Sequence, residues 1–256
     1  VFASIELRLL GFPATLIRHE TTVLDRWLWL SPYLPSVPTG SRKLLDVGCG
    51  SGAFTIGAAL RGYRSLGLSW DQRNQNVAKE RAVLCKAPLA EFAIQDVRRL
   101  DERTELLGQF DVAVSCENIE HILDDRKLMI DMAGCLKPGG TLLLTTPYFH
   151  YRAINKNDDG PFQEVENGGH VRRGYTQEDL RALCEASGLK VLRIEYCTGY
   201  LSQKITGFFR QCCLIHPLFA WAAVLPLRPL PPLFDVWLSR MTRWPAYSIA
   251  LVATRT

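Results

Sequence analysis

Ten residues constrain this 256-residue chain more than any others: Lys43-Leu44-Leu45-Asp46-Val47-Gly48-Cys49-Gly50-Ser51-Gly52. Leu44, Leu45 and Val47 make an apolar run of strand length. The glycines that follow let the backbone turn sharply and come close to a ligand. A helix can begin at Ala53-Phe54-Thr55-Ile56, with its free amide groups facing the turn. Asp46 narrows the choice of ligand. A carboxylate beside such a loop repels a pyrophosphate but suits a ligand carrying an ammonium group. A dinucleotide loop needs G-x-G-x-x-G, and position 53 is Ala.

Further along, the pattern predicts strands over 44–47, 65–68, 91–94, 110–115, 141–145, 191–196 and 248–253. Helices are expected to about 60, over 74–85, near 126–136 and over 176–187. Repeated strand–helix units of this size imply an α/β fold. The expectation is a doubly wound, mostly parallel seven-stranded sheet with an apolar helical insert before the last strand. Residues 1–40 read as an N-terminal helical cap that breaks up at Pro32, Pro35 and Pro38, and 41–256 as the main domain. Two stretches depart from the alternation, 148–175 and 199–245. Both leave or rejoin the carboxyl end of a strand, where such sheets bind ligands, so both are expected to wall the substrate.

Composition excludes more than it assigns. With 47% hydrophobic and 22% charged residues the chain has the make-up of a globular enzyme. A net charge of +4 without a long Lys/Arg block predicts no nucleic-acid partner. The eight cysteines are scattered without a C-x-x-C pair, as expected of free thiols in a reducing cytoplasm. Glu6 and Arg8 interrupt the first apolar run, so no signal peptide is expected. His216, Pro217 and Pro226 interrupt the most apolar run, 212–227, too often for a bilayer span.

The glycine motif resembles the first motif of the class I S-adenosylmethionine (SAM)-dependent methyltransferases, and the order of elements matches over 41–198 and 246–256. The resemblance is to the small-molecule type, similar to the ubiquinone-biosynthesis methyltransferases. It implies SAM as cofactor, with Asp46, Gly48, Cys49, Gly50 and Gly52 around its amino-acid end. The acid that usually holds the ribose falls on Ser69, a departure that cyclopropane-fatty-acid synthases share, with Asn74 as the accompanying amide. Trp70 would pack over the adenine, and Asp71 could serve instead as a helix cap. Phe92-Ala93-Ile94-Gln95-Asp96-Val97 resembles the third motif, which assigns Asp96 and the Val97 amide to the adenine. Val114-Ser115-Cys116-Glu117-Asn118-Ile119-Glu120-His121 matches the fourth, placing Glu117 and Asn118 near the methyl group and His121 at the pocket's edge. The turn Leu136-Lys137-Pro138-Gly139-Gly140 is typical of the fold and reverses the chain into the next strand.

Transfer from a sulfonium is an in-line displacement in which positioning supplies much of the rate. A hydroxyl acceptor also needs its proton removed, for which His150 is the first candidate base and His170 the second. Tyr148, Tyr151, Tyr175, Arg172 and Arg173 are candidate substrate contacts, although both arginines could pair with acids of their own loop. The carboxylates show no ligand spacing, so no metal is expected. The partner is a small-molecule acceptor. The insert 199–245 suits a lid, a homodimer interface or a peripheral membrane contact through 205–240. Alternatives are a lipid-directed methyltransferase, a cyclopropane-forming enzyme and a non-catalytic SAM-binding scaffold.

Overall fold

The computed structural model describes residues 2–17 and 21–256. Among them the centre is a seven-stranded sheet: β1 (Lys43–Val47), β2 (Arg64–Ser69), β3 (Ala90–Ile94), β4 (Phe110–Cys116), β5 (Leu136–Pro147), β6 (Leu189–Cys197) and β7 (Ser248–Arg255). Their spatial order is β3-β2-β1-β4-β5-β7-β6. The first five run parallel, and β7 runs antiparallel to both of its neighbours. The winding reverses between β1 and β4, which opens a crevice beyond their carboxyl ends. The doubly wound sheet expected from the sequence is present.

Side chains alternate along a strand, so neighbouring residues feed separate cores. Leu45, Val47, Leu142 and Leu144 pack on one face with Leu128 and Met132 of α6 (Asp125–Cys135) and Leu180 of α7 (Gln177–Ala186). Leu44, Val112, Val114 and Leu143 face the other way, onto Trp27 and Leu30 of α3 (Thr22–Leu30) and Ala53 and Ala58 of α4 (Ala53–Ala59). The N-terminal helices, which also include α1 (Phe2–Leu10) and α2 (Pro13–Ile17), thus cover part of the sheet itself. Polar caps fix the helix starts. Thr176 and Asp179 form a capping box at α7, and Asp71 accepts from the Arg73 amide at the start of α5 (Gln72–Leu84).

At the Leu136–Gly140 turn the structure adds a detail that the pattern did not carry. Phe110 pairs with Leu136 and Val112 with Thr141, so 137–140 bulge out opposite Asp111 within one strand. Lys137 Nζ closes the bulge on Asp111 Oδ1 at 2.8 Å. The late insert forms α8 (Tyr200–Cys213), α9 (Pro217–Val224) and α10 (Leu230–Thr242). Thr21, at the start of α3, donates to the Ser202 carbonyl of α8 at 3.0 Å and lies 2.7 Å from Thr206 Oγ1.

Candidate active site

The turn after β1 is anchored by the Gly48 and Cys49 amides, which donate to the Leu68 carbonyl of β2 at 3.0 and 2.9 Å. Gly48 has φ +84, and a Cβ there would lie 2.5 Å from the Asn118 side chain. Gly52 has φ +81 and is pressed against Phe92 and Ala78, 2.7 and 2.8 Å from where its Cβ would be. One glycine therefore lets Asn118 approach the turn, and the other lets α4 pack on the sheet. The side facing away from the sheet is left open.

There lies a cavity of about 470 Å³. Gly48 and Gly50 form its base, and Ser69, Trp70 and Asn74 line the β2 side. Asp96, Val97 and Arg98 border it from the end of β3, and Glu117, Asn118, His121 and Ile122 from the end of β4. Glu166, Asn167 and Gly168 of the first insert close the rim. Trp70 is 68% exposed and so is not core packing. Ser69 Oγ accepts from the Asp71 amide at 3.3 Å, which leaves its own proton to donate. Among the described residues, none from 199–245 lines this cavity, so only one of the two expected substrate walls reaches it.

Several expectations for the donor loop need correction. Asp46 does not face the cavity. Its Oδ2 accepts from the Thr55 amide (3.1 Å) and hydroxyl (2.7 Å), and the residue is 1% exposed. Gly52, at the N-cap of α4, has no side chain to receive an orphan amide, so Asp46 supplies the acceptor from the strand. Burial lifts its pKa to about 6 against the pull of the Thr55 bonds. Cys49 also turns away, its Sγ 3.3 Å from Gln75 Nε2, and Gly52 is buried in packing. Asp96 lines the cavity, but its carboxylate binds the amide and guanidinium of Arg98, with Nε at 2.8 and 3.0 Å. Those hydrogen bonds hold its pKa below the usual range.

The β4 end gathers acids and imidazoles. Glu117 has φ +49, a region that side chains rarely adopt. Its carboxylate is held by Arg26 of α3 at 3.3 Å and by Ser248 Oγ of β7 at 2.9 Å. Arg26 is a site residue that the sequence reading missed, since nothing in the local pattern links α3 to β4. Behind it, Glu120 is fully buried, with one oxygen bound by Thr146 at 3.1 Å and the other without a hydrogen-bond partner among the described residues. Burial, then the nearby Glu117, raises its pKa well above the carboxylate range. The free oxygen lies 3.8 Å from His121 Nε2, and the His121 ring meets His170 edge-on at 4.7 Å. Ligand atoms of Glu120, His121 and His170 all lie within 4.8 Å of one another. The chain spacing showed no metal pattern, but the fold assembles one carboxylate and two imidazoles, a set suited to a divalent cation.

Of the two expected bases, His150 is misplaced. It is exposed and stacks edge-on against Tyr148 and Phe149, away from the cavity. His170 is held beside the cavity rim, where burial and then His121 lower its pKa. The expected substrate contacts are used inside the protein, within the loop and between the loop and its neighbours. Tyr151 donates to the Asp158 carbonyl, and Tyr175 donates to Asp125 at 2.8 Å. Arg172 binds Asp125 and the Ile122 and Leu123 carbonyls, and Arg173 binds Asp159 and the Phe149 and Tyr151 carbonyls. Tyr148 packs on Tyr196. These five residues shape the insert and tie it to its neighbours, because the carbonyls of an irregular segment and of the turn it packs on need partners. Arg98 then ties the insert down, reaching Glu166 at 2.8 Å across the cavity mouth.

A family model described as a methyltransferase domain matches residues 18–194, well over half of the chain. The chain belongs to that family. Its domain is of the class I SAM-dependent type, and the fold agrees. Phosphoethanolamine N-methyltransferase 2 from Haemonchus contortus, solved with S-adenosyl-L-methionine, superposes with a TM-score of 0.65 over 96% of this chain and 57% of that one, at 18% identity. Among relatives, the ubiquinone biosynthesis O-methyltransferase of Marinobacter nauticus is 32% identical over 47% of this chain and 48% of its own length. The human mitochondrial ubiquinone biosynthesis O-methyltransferase is 28% identical over 68% of this chain and 48% of its own. The methyltransferase chain thus spans about half the length of the curated relatives it matches.

Proposed function

We propose that this protein transfers a methyl group from SAM to a hydroxyl oxygen of a small-molecule acceptor. The observation that carries the proposal is the cavity itself. A glycine base lies at one side, an aromatic and hydroxyl wall at another, and a carboxylate–imidazole cluster at the β4 end. The residues fit the donor. Gly48 and Gly50 offer backbone to its amino-acid part, Ser69 and Asn74 offer hydrogen bonds to the ribose, and Trp70 and Val97 offer apolar surface to the adenine. The sulfonium then falls toward Glu117 and Asn118.

SAM supplies the activated methyl group, with the thioether as leaving group. The chain holds the acceptor oxygen in line and takes its proton. His170, kept neutral by burial, is the base, oriented by its edge contact with His121.

Isothermal titration with SAM and S-adenosylhomocysteine tests the donor half, and methyl transfer from labelled SAM to catechol-type and aliphatic hydroxyl acceptors tests the rest. Binding of NAD in place of SAM would overturn the whole proposal. Donor binding without transfer to any hydroxyl would overturn the O-methylation half.

A further inference from the structure

The helices between β6 and β7 turn part of their polarity inside out. On α10 the buried side includes Asp235, whose carboxylate accepts from the Gly199 and Leu201 amides at 2.8 and 2.6 Å. Ser239 Oγ accepts from the Tyr200 amide at 2.8 Å. Asp235 and Ser239 of α10 thus serve inside, as an external cap for α8. Its outer side carries Leu233, Val236, Trp237 and Met241, which are 71, 69, 61 and 62% exposed. Positions 233, 237 and 241 recur every four residues and so form one stripe, with the exposed Arg240 beside it.

Charge narrows what can cover this stripe. Residues 199–245 hold Lys204, Arg210, Arg228, Arg240 and Arg243 and a single acid, Asp235, which is 8% exposed. An exposed apolar stripe of this kind marks an interaction surface. Of these cations Arg228 is buried and Arg210 pairs with Asp158, whereas Arg240 and Arg243 are exposed on and just after α10. With no exposed acid from the insert, these two match a partner that is anionic at its surface and apolar beneath. A second copy of the chain fits poorly. A two-fold contact sets a patch against itself, which would bring Arg240 and Arg243 of both copies into one interface with no exposed insert carboxylate to compensate them.

We propose that α10 is a docking face for an anionic phospholipid bilayer. Leu233, Trp237 and Met241 enter the boundary between headgroups and acyl chains, while Arg240 and Arg243 meet the phosphates. The contact is peripheral, because no described helix is long and apolar enough to cross a membrane. The face lies outside the methyl-donor cavity, so this proposal stands or falls separately from the enzymatic one.

Co-sedimentation of the whole chain with vesicles tests it, comparing phosphatidylcholine alone with a phosphatidylcholine–phosphatidylglycerol mixture at low and high salt. The expected result is partition onto the anionic vesicles that weakens with salt. The double variant Leu233→Ser/Trp237→Ser should weaken it at least about tenfold, and Arg240→Gln about fivefold, with melting temperatures kept as a check on folding. Equal partition of wild type and double variant, or no dependence on phosphatidylglycerol, overturns the proposal. So does a wild-type dimer in sedimentation velocity that the double variant converts to monomer.

Discussion

At the scale of single residues, the chemistry of this site rests on side chains whose charge is set by burial. His170 is pushed below its ordinary value by desolvation and by His121, so it is neutral and able to accept a proton at neutral pH. A base works only when deprotonated, so the rate rises with pH through its pKa. The acid limb of kcat/KM is therefore expected to have its midpoint below about 6.5. His170→Gln should lower the rate about a hundredfold and remove that limb, which a pH–rate profile would show. Arg26 and Glu117 form a partly buried pair, and removing one partner leaves the other charge without compensation. Arg26→Gln should destabilise the fold by about 3 kcal/mol, read from urea unfolding. Arg26→Gln/Glu117→Gln should recover part of that loss, and strictly additive losses would refute the coupling.

At the scale of elements, the βα turn is the unit that makes the cavity. Asp46 acts there through Thr55, tying the end of β1 to the first turn of α4. Thr55→Val removes a hydroxyl from a buried carboxylate and is expected to cost about 1–3 kcal/mol, whereas Thr55→Ser should cost far less. Chemical denaturation of the two variants distinguishes a structural Asp46 from one that contacts ligand, because donor affinity should follow stability only weakly. The strand and helix positions were legible in the sequence, since apolar runs of strand length and capping residues such as Thr176 and Asp71 are local signals. The direction of the Asp46 side chain was not. A glycine at the N-cap leaves a free amide, and only the packed geometry shows which distant acid fills it.

At the scale of the whole molecule, the donor cavity is closed by contacts between segments far apart in the chain. Arg98 binds Asp96 beside it and Glu166 on the first insert, and Glu166 also accepts from the Leu123 amide at 2.5 Å. These contacts are partly exposed, so each is a latch of modest strength. Glu166→Gln should therefore speed amide hydrogen exchange around 163–170 by about fivefold and raise the KM for SAM, with little change in melting temperature. Unchanged exchange there would show that the insert is held by its own internal bonds.

The sequence by itself determined the alternating sheet, the glycine turn after β1, and the four segments that meet at the carboxyl ends of the strands. Short apolar runs of strand length and glycine conformations act over a few residues and need no tertiary context. The tertiary structure alone decided which polar groups face the cavity. Asp46, Tyr151, Tyr175, Arg172 and Arg173 carry the right chemistry for ligands, but folding gave them buried amides, carbonyls and acids to satisfy first. Arg26 reaches Glu117, and His170 reaches Glu120 and His121, from segments far apart in the chain because a helix on one face of the sheet and a returning loop converge on the end of β4. A buried polar group takes whichever partner lies within hydrogen-bond distance, and sequence spacing does not encode that distance.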